Sequence, residues 1–356
     1  MYKNAMNFRL LPEWAEQDAV MLTWPHKHTD WADNLARVEP VYVELAKHIT
    51  HYQFLVVVAH DEALKAHITA LLNQANINLE RVHFVVTPTN DTWARDHGPL
   101  TCANISDETK LKVYDFTFNG WGNKFESTLD NQINKAVVEQ LSHANNDYQA
   151  LDMVLEGGGI EINEHGVLLT TSECLLNKNR NPDLSSQDIE TLLKTHLGAT
   201  DFLWVDHGYL AGDDTDSHID TLVRFAPNNT LVYVQCDEEN DEHFTALKAM
   251  ENQLKSFKTA GNTPYTLVEL PWPKAAYDDE NSRLPATYAN YLIINNAVLV
   301  PTYNDVNDDR ALAQVQIAYP QHTIIGVNCQ PIIEQFGSLH CITMQLPRGF
   351  LAGAAQ

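Results

Sequence analysis

No stretch of this 356-residue sequence approaches the roughly 18 uninterrupted apolar residues of a membrane-spanning helix. Its apolar runs, such as residues 54–59 and 291–294, are strand-sized. The opening residues lack the continuous apolar core of a signal peptide and are broken by charge, so the cytoplasm is the expected compartment. Basic residues are scarce: 23 Lys and Arg stand against 47 Asp and Glu, for a formal net charge of -24. That sign argues against nucleic acid and anionic membranes as partners, serves solubility, and weakly attracts cations. Cysteine is sparse too. Cys102, Cys174, Cys236, Cys329 and Cys341 are odd in number, widely spread and without a C-x-x-C pair. That excludes a disulfide framework and a zinc knuckle, and leaves mostly reduced, buried thiols. Neither the Gly-Lys-Ser/Thr of a phosphate loop nor G-x-G-x-x-G is present, so nucleotide-loop chemistry has no footing.

What is present is ample for a large core: 44% of residues are hydrophobic and 9% aromatic. Short β-branched runs at 19–24, 54–59, 82–86, 111–116, 167–170, 231–234, 266–270, 297–301 and 323–327 predict strands. Amphipathic patterns at 33–49, 62–72, 131–141, 185–197, 241–257 and 310–318 predict helices between them, the fifth opening at Asp241 as its cap. The strand–helix blocks predict an α/β class in one continuous domain over residues 1–356. No letter-level repeat is evident, although the block spacing suits several similar modules.

Four segments could carry chemistry. In Asn90-Asp91-Thr92-Trp93-Ala94-Arg95-Asp96-His97-Gly98-Pro99, a carboxylate beside a tryptophan face suits a flat cation. The plain alternative is a capped turn in which Arg95 and Asp96 pair with each other. Leu155-Glu156-Gly157-Gly158-Gly159 admits close backbone approach, or is simply a tight turn. Gly212-Asp213-Asp214-Thr215-Asp216-Ser217-His218-Ile219-Asp220 lacks the spacing of a calcium loop. It could bind a metal, form a solvated acidic turn, or, if 217–225 begins a strand, aim His218 and Asp220 at one spot. Phe336-Gly337-Ser338-Leu339-His340-Cys341-Ile342-Thr343 puts a thiol at the mouth of a strand, with Cys341 and Thr343 on one face and His340 and Ile342 on the other. A lone cysteine is ordinarily inert core. Together, however, the segments supply a nucleophile, a histidine and several carboxylates.

In order along the chain, Trp93-Ala94-Arg95-Asp96-x-Gly98-Pro99, Glu156-Gly157-Gly158, the run from Glu173-Cys174 to Asn181-Pro182, Gly212 to Asp220, and Leu339 to Thr343 resemble the agmatine deiminases. These sit with the bacterial-type peptidylarginine deiminases in the guanidino-group-modifying superfamily. The likeness runs from Pro12-Glu13-Trp14 to Pro347. It departs from many members in having Phe336-Gly337-Ser338-Leu339 before the cysteine and Met344-Gln345 after it.

The resemblance implies the pentein fold, an α/β-propeller of five ββαβ-type modules about a pseudo-fivefold axis with a central active site. It implies a small cationic guanidine substrate, agmatine, and neither metal nor organic cofactor. Carried over by motif, Cys341 is the nucleophile and His218 the general acid/base. Asp96 and Asp220 bind the guanidinium, and Glu156 supports the histidine or the substrate nitrogens. Asp213 and Asp214 are the acids expected at the distal amine, with Trp93 and Trp121 along the aliphatic stem. The expected chemistry runs through an amidino-cysteine to N-carbamoylputrescine and ammonia, with the Cys341 pKa lowered by nearby positive charge, including protonated His218. Another guanidine substrate, a non-catalytic pentein binding protein, a metal hydrolase on residues 213–220 and a homo-oligomeric state stay open at this point.

Overall fold

The computed structural model describes residues 7–353. Four times the chain forms an antiparallel pair and then returns through a helix to lay a further strand parallel to the second. Leu100–Asn104 and Asp107–Thr117 are antiparallel; helix Ile133–Leu141 leads to Asp147–Val154, and Phe8–Leu10 adds an edge. Ile160–Ile162, Val167–Thr171, helix Ser186–Leu197 and Asp201–Val205 repeat the pattern. So do Val223–Ala226, Thr230–Val234, helix Phe244–Ser256 and Thr266–Leu270. Leu292–Ile294, Ala297–Thr302, helix Asp308–Ala318 and Thr323–Asn328 follow it again. In a further sheet, the late strand Thr343–Pro347 is antiparallel to Gln17–Thr23, which is followed in parallel by Phe54–Ala59 and Val82–Val86. A two-stranded ladder, Ala276–Tyr277 with Arg283–Leu284, stands apart from these sheets.

The sequence pattern explains the layers. In Gln17–Thr23 and Phe54–Ala59, successive side chains enter two different buried clusters. Val20, Leu22, Leu55 and Val57 lie on one side, and Ala19, Met21, Val56 and Val58 on the other. A strand covered on both faces reads as an unbroken apolar run rather than an alternating one. Helix Leu35–Tyr52 buries Val38, Val41, Tyr42, Leu45 and Ile49 along one stripe. Each such side chain contributes roughly 1.5–3 kcal/mol through burial. Ser186–Leu197 is bounded by a Ser185–Asp188 capping box and by Gly198 in the left-handed region at φ 65°.

Each short apolar run expected to be a strand falls in one, apart from Trp24, which lies just past the end of Gln17–Thr23. Two expectations are corrected. The helix predicted from Asp241 begins at Phe244. Asp241 is instead tied to the His243 amide at 2.9 Å and to Arg283 Nη2 at 2.7 Å. Residues 217–222 are not a strand: Ile219–Thr221 is a 3-10 turn and the strand starts at Val223.

Candidate active site

The four segments meet through backbone turns, not regular strands. Trp93 caps the single helical turn Ala94–His97, and the Arg95 amide donates to the Cys341 carbonyl at 3.1 Å. Cys341 lies two residues ahead of the strand Thr343–Pro347. Its loop is held by Asn290, whose Oδ1 accepts from the His340 amide at 2.9 Å and from the Cys341 thiol at 3.3 Å.

Gly158 marks the convergence point. A Cβ built there would sit 2.7 Å from Asp96 Oδ1, 2.7 Å from His218 Nδ1 and 3.1 Å from Asp220 Oδ2. The three groups therefore surround one backbone atom, and only glycine leaves room for them. Asp96 Oδ1 accepts the Gly158 amide at 3.0 Å and Oδ2 accepts Trp121 Nε1 at 2.9 Å. His218 Nδ1 lies 3.5 Å from Asp96 Oδ1. His218 Nε2 and Asp220 Oδ1 are buried and without a hydrogen-bond partner among the described residues.

Burial, then the charges of Asp220 and Glu156, push the Asp96 carboxyl well above the usual range. Burial also opposes ionisation of Asp220, but the hydrogen bond and charge of His340 outweigh it and hold that carboxyl low. Burial pushes His218 down to about 3, leaving a neutral imidazole at neutral pH. Burial, reinforced by Asp220 and Asp96, pushes the Cys341 thiol well above its ordinary value.

Cys341 and Asp96 border a cavity of about 210 Å³ whose wall includes Asp30, Asp91, Asp213, Asp214, Trp93 and Trp121. Five of the lining residues are aspartates, and among the described lining residues none is Lys, Arg or His. Gly337 presses on the Trp93 ring so closely that a Cβ would come within 2.0 Å of it. Trp121 holds its place from the left-handed region at φ 54°, in a turn where the Asn119 side chain accepts the Gly122 amide.

A family model described as Porphyromonas-type peptidyl-arginine deiminase matches residues 9–347. The chain belongs to this family. The agmatine deiminase of Stutzerimonas stutzeri is 30% identical over 95% of both chains. The solved C. jejuni agmatine deiminase with substrate bound is 39% identical, covering 96% of this chain and 97% of its own, at a TM-score of 0.87. A Porphyromonas gingivalis structure, described provisionally as an arginine deiminase, is 45% identical over 97% of this chain and 100% of its own, at 0.89. The fold class is α/β, as expected.

Of the expected site residues, Cys341, Asp96, Trp93 and Trp121 border the cavity, and His218 and Asp220 lie beside Asp96 around Gly158. Glu156 is near, but its carboxylate faces Arg180, whose Nε lies 3.0 Å from each oxygen. Asp213 borders the cavity, yet its oxygens take the Thr215 amide at 3.0 Å and the Ser217 amide at 2.7 Å, so it shapes its own loop. Asp214 is exposed at the cavity wall. Arg95 and Asp96 do not pair with each other: Arg95 Nη1 goes to Glu13 at 3.1 Å. The shifts run opposite to the lowering expected from positive charge: burial, with Asp220 and Asp96 nearby, pushes the Cys341 thiol up, and burial pushes His218 down to about 3.

Among the described residues, two sets of donor atoms come within metal-binding distance of one another: Glu156, Cys174 and His218, and Glu13, Glu161 and His340. Arg180 already occupies Glu156, and Arg224 occupies Glu13 and Glu161, so guanidinium groups stand where a cation would neutralise the acids. Asp216, in the acidic turn, is likewise taken by Arg180 at 2.6 Å and Lys124 at 2.9 Å.

Sequence reasoning gave no role to Asn290, Arg180, Glu13 or Arg224, and placed His340 only on the strand face away from the thiol. Glu13 and Arg180 lay inside matched motifs. Asn290 and Arg224 had no local signal, being single polar residues in otherwise apolar surroundings.

Proposed function

We propose that this chain is an agmatine deiminase that hydrolyses agmatine to N-carbamoylputrescine and ammonia. The carrying observation is the cavity of five aspartates with no basic lining residue, bordered by Cys341. Agmatine enters as a dication, whereas the α-carboxylate of arginine meets acids with no compensating base. The substrate-bound C. jejuni relative supports the reading. The ring of five ββαβ-type modules about a pseudo-fivefold axis, forming one catalytic domain, belongs to the same proposal and is supported by the recurring strand–helix unit.

Asp96 and Asp220 clamp the guanidinium and hold its carbon against the sulfur. The cavity wall supplies no basic side chain among the described residues, so the guanidinium itself is the positive charge that favours thiolate at Cys341. Neutral His218 accepts the thiol proton as sulfur attacks the guanidinium carbon, forming a tetrahedral adduct. The same histidine returns that proton to one nitrogen, the C–N bond breaks, and ammonia leaves an S-alkylthiouronium on Cys341. Water then attacks that carbon while His218 takes a proton from it. Collapse breaks the C–S bond, the departing sulfur takes the hydroxyl proton of the adduct to restore the thiol, the ureido product leaves, and His218 gives its proton up to solvent, which balances the ammonia as ammonium. Glu156 with Arg180 fixes the loop that carries His218. Asp214 receives the distal amine, and Trp93 and Trp121 cover the stem.

The test is release of ammonia and ureido product from agmatine beside free arginine and peptidyl-arginine. The P. gingivalis relative's description makes free arginine the rival. Preference for arginine would refute the substrate assignment. Cys341→Ala folds normally and releases no ammonia; ammonia release at the wild-type rate would refute the covalent route.

A further inference from the structure

Behind the site runs a buried chain of charged groups to which the mechanism above gives no part. His340 Nδ1 lies 2.7 Å from Asp220 Oδ2, and its Nε2 lies 2.8 Å from Glu13 Oε1. Arg224 Nη2 lies 3.0 Å from the same Nε2 and 2.6 Å from Glu13 Oε2. Arg224 is itself anchored by the Ala289 and Tyr291 carbonyls at 3.1 and 2.7 Å and by Glu161. Arg95 and the Gln345 amide hold the other side of Glu13, at 3.1 and 2.9 Å. His340 is 1% exposed and Asp220 0%.

We propose that His340 is a positioning residue that fixes Asp220 through Nδ1–H, turning the carboxylate's unpartnered Oδ1 toward the substrate guanidinium, with Glu13 and Arg224 fixing the imidazole in turn. The proposal rests on the guanidine reading of the site. The proton location follows from the partners. Asp220 can only accept, so the nitrogen facing it carries hydrogen. At Nε2 the Arg224 N–H can donate to a neutral ring, or Glu13 can accept from a charged one; in both states Nδ1–H faces Asp220.

Asp96 has no such arrangement. Its partners are an indole N–H and a backbone amide. The two substrate-facing acids are thereby made unequal. Asp220 is held as an oriented anion by a charged network, while Asp96 carries the burden of burial with neutral donors alone. Without its imidazole partner, a fully buried Asp220 would protonate and lose its fixed plane, and guanidinium binding would weaken more than the chemistry at sulfur.

The experiment compares His340→Leu, His340→Asn and Glu13→Gln with wild type, using whichever guanidine compound the wild type turns over. Asparagine can place an N–H near Nδ1; leucine cannot. Thermal melts and alkylation of Cys341 report that the fold and nucleophile are in place. Expected for His340→Leu is a KM raised about tenfold or more, with a smaller loss in kcat. The acid limb of its kcat/KM profile should move up by about one pH unit or more, since Asp220 must then ionise unaided. His340→Asn should restore most of the limb. Glu13→Gln, which leaves the imidazole in place, should move it in the same direction by less. An unshifted limb and unchanged KM in a folded His340→Leu would overturn the proposal, as would equal impairment of the leucine and asparagine variants. If both His340 variants fail to fold, Glu13→Gln decides: a shifted limb supports the relay and an unshifted one overturns it. A wild type inert on every guanidine would instead sink the functional reading.

Discussion

Gly158 offers a perturbation whose consequence is geometric. A single methyl at this position would stand 2.7 Å from both Asp96 Oδ1 and His218 Nδ1 and 3.1 Å from Asp220 Oδ2. Ordinary carbon contacts need roughly 3.4 Å or more, so in Gly158→Ala the first two groups must retreat by about 0.7 Å. The backbone itself is not strained, because Gly158 is not among the glycines of positive φ. The clashing atoms are tips of side chains, so the fold should lose only about 1–2 kcal/mol, within the range of modest overpacking. Catalysis is less forgiving. A displacement approaching 1 Å of groups that orient the reacting carbon can cost about 10²-fold in rate. The expected variant is therefore folded, near wild type in its melt, and about a hundredfold slower in kcat/KM for agmatine. Gly157→Ala is the matched control, since its methyl would meet the Arg95 carbonyl at 2.2 Å and must move backbone; it should lose stability first. Full activity in Gly158→Ala would mean that Asp96, His218 and Asp220 do not need the positions they hold around this atom, and the site assignment would fail.

Two further outcomes follow from single contacts. Trp121→Phe removes the indole donor 2.9 Å from Asp96, and losing one hydrogen bond to a buried acid should raise KM for agmatine about tenfold; an unchanged KM in steady-state assays would count against the clamp. His97 is buried outside the cavity and burial pushes it down to about 3 from 6.5. As pH falls below 6.5 the unfolded chain gains a proton there that the folded chain refuses, so stability present above that pH is lost toward acid, by roughly 2 kcal/mol at pH 5. In His97→Gln that increment should vanish when urea midpoints at pH 7 and pH 5 are compared, and an undiminished acid loss would refute it.

Strands were legible because burial on both faces leaves runs such as Phe54–Ala59 unbroken. Helix starts were legible where a cap was local, as at Ser185, and misread at Asp241, whose carboxylate serves Arg283 and His243. The catalytic motifs were legible as letters. Their state of charge was not, because it depends on how completely water is excluded and on which carboxylates face the sulfur. Neither can be read before residues 96, 220 and 341 share a cavity wall and the space behind it. Asp213 and Glu156 show the same limit: each is an acid in the right motif, but only the partners on its oxygens tell that one is spent on its own turn and the other on Arg180.

The pairing of Thr343 with Leu22 and Met344 with Met21 has a consequence for biogenesis. The segment that delivers the sulfur docks onto a strand made long before it, with nearly every other element intervening. Closing so large a loop is entropically costly and kinetically late. On the role proposed for Cys341, nascent and partly folded forms that lack this pairing carry the acids, the imidazole and the aromatic walls without the sulfur in register, and are expected to be inactive. On the same proposal, turnover reads out completed folding, and fraying of this one ladder is expected to silence the enzyme while most of its mass stays native.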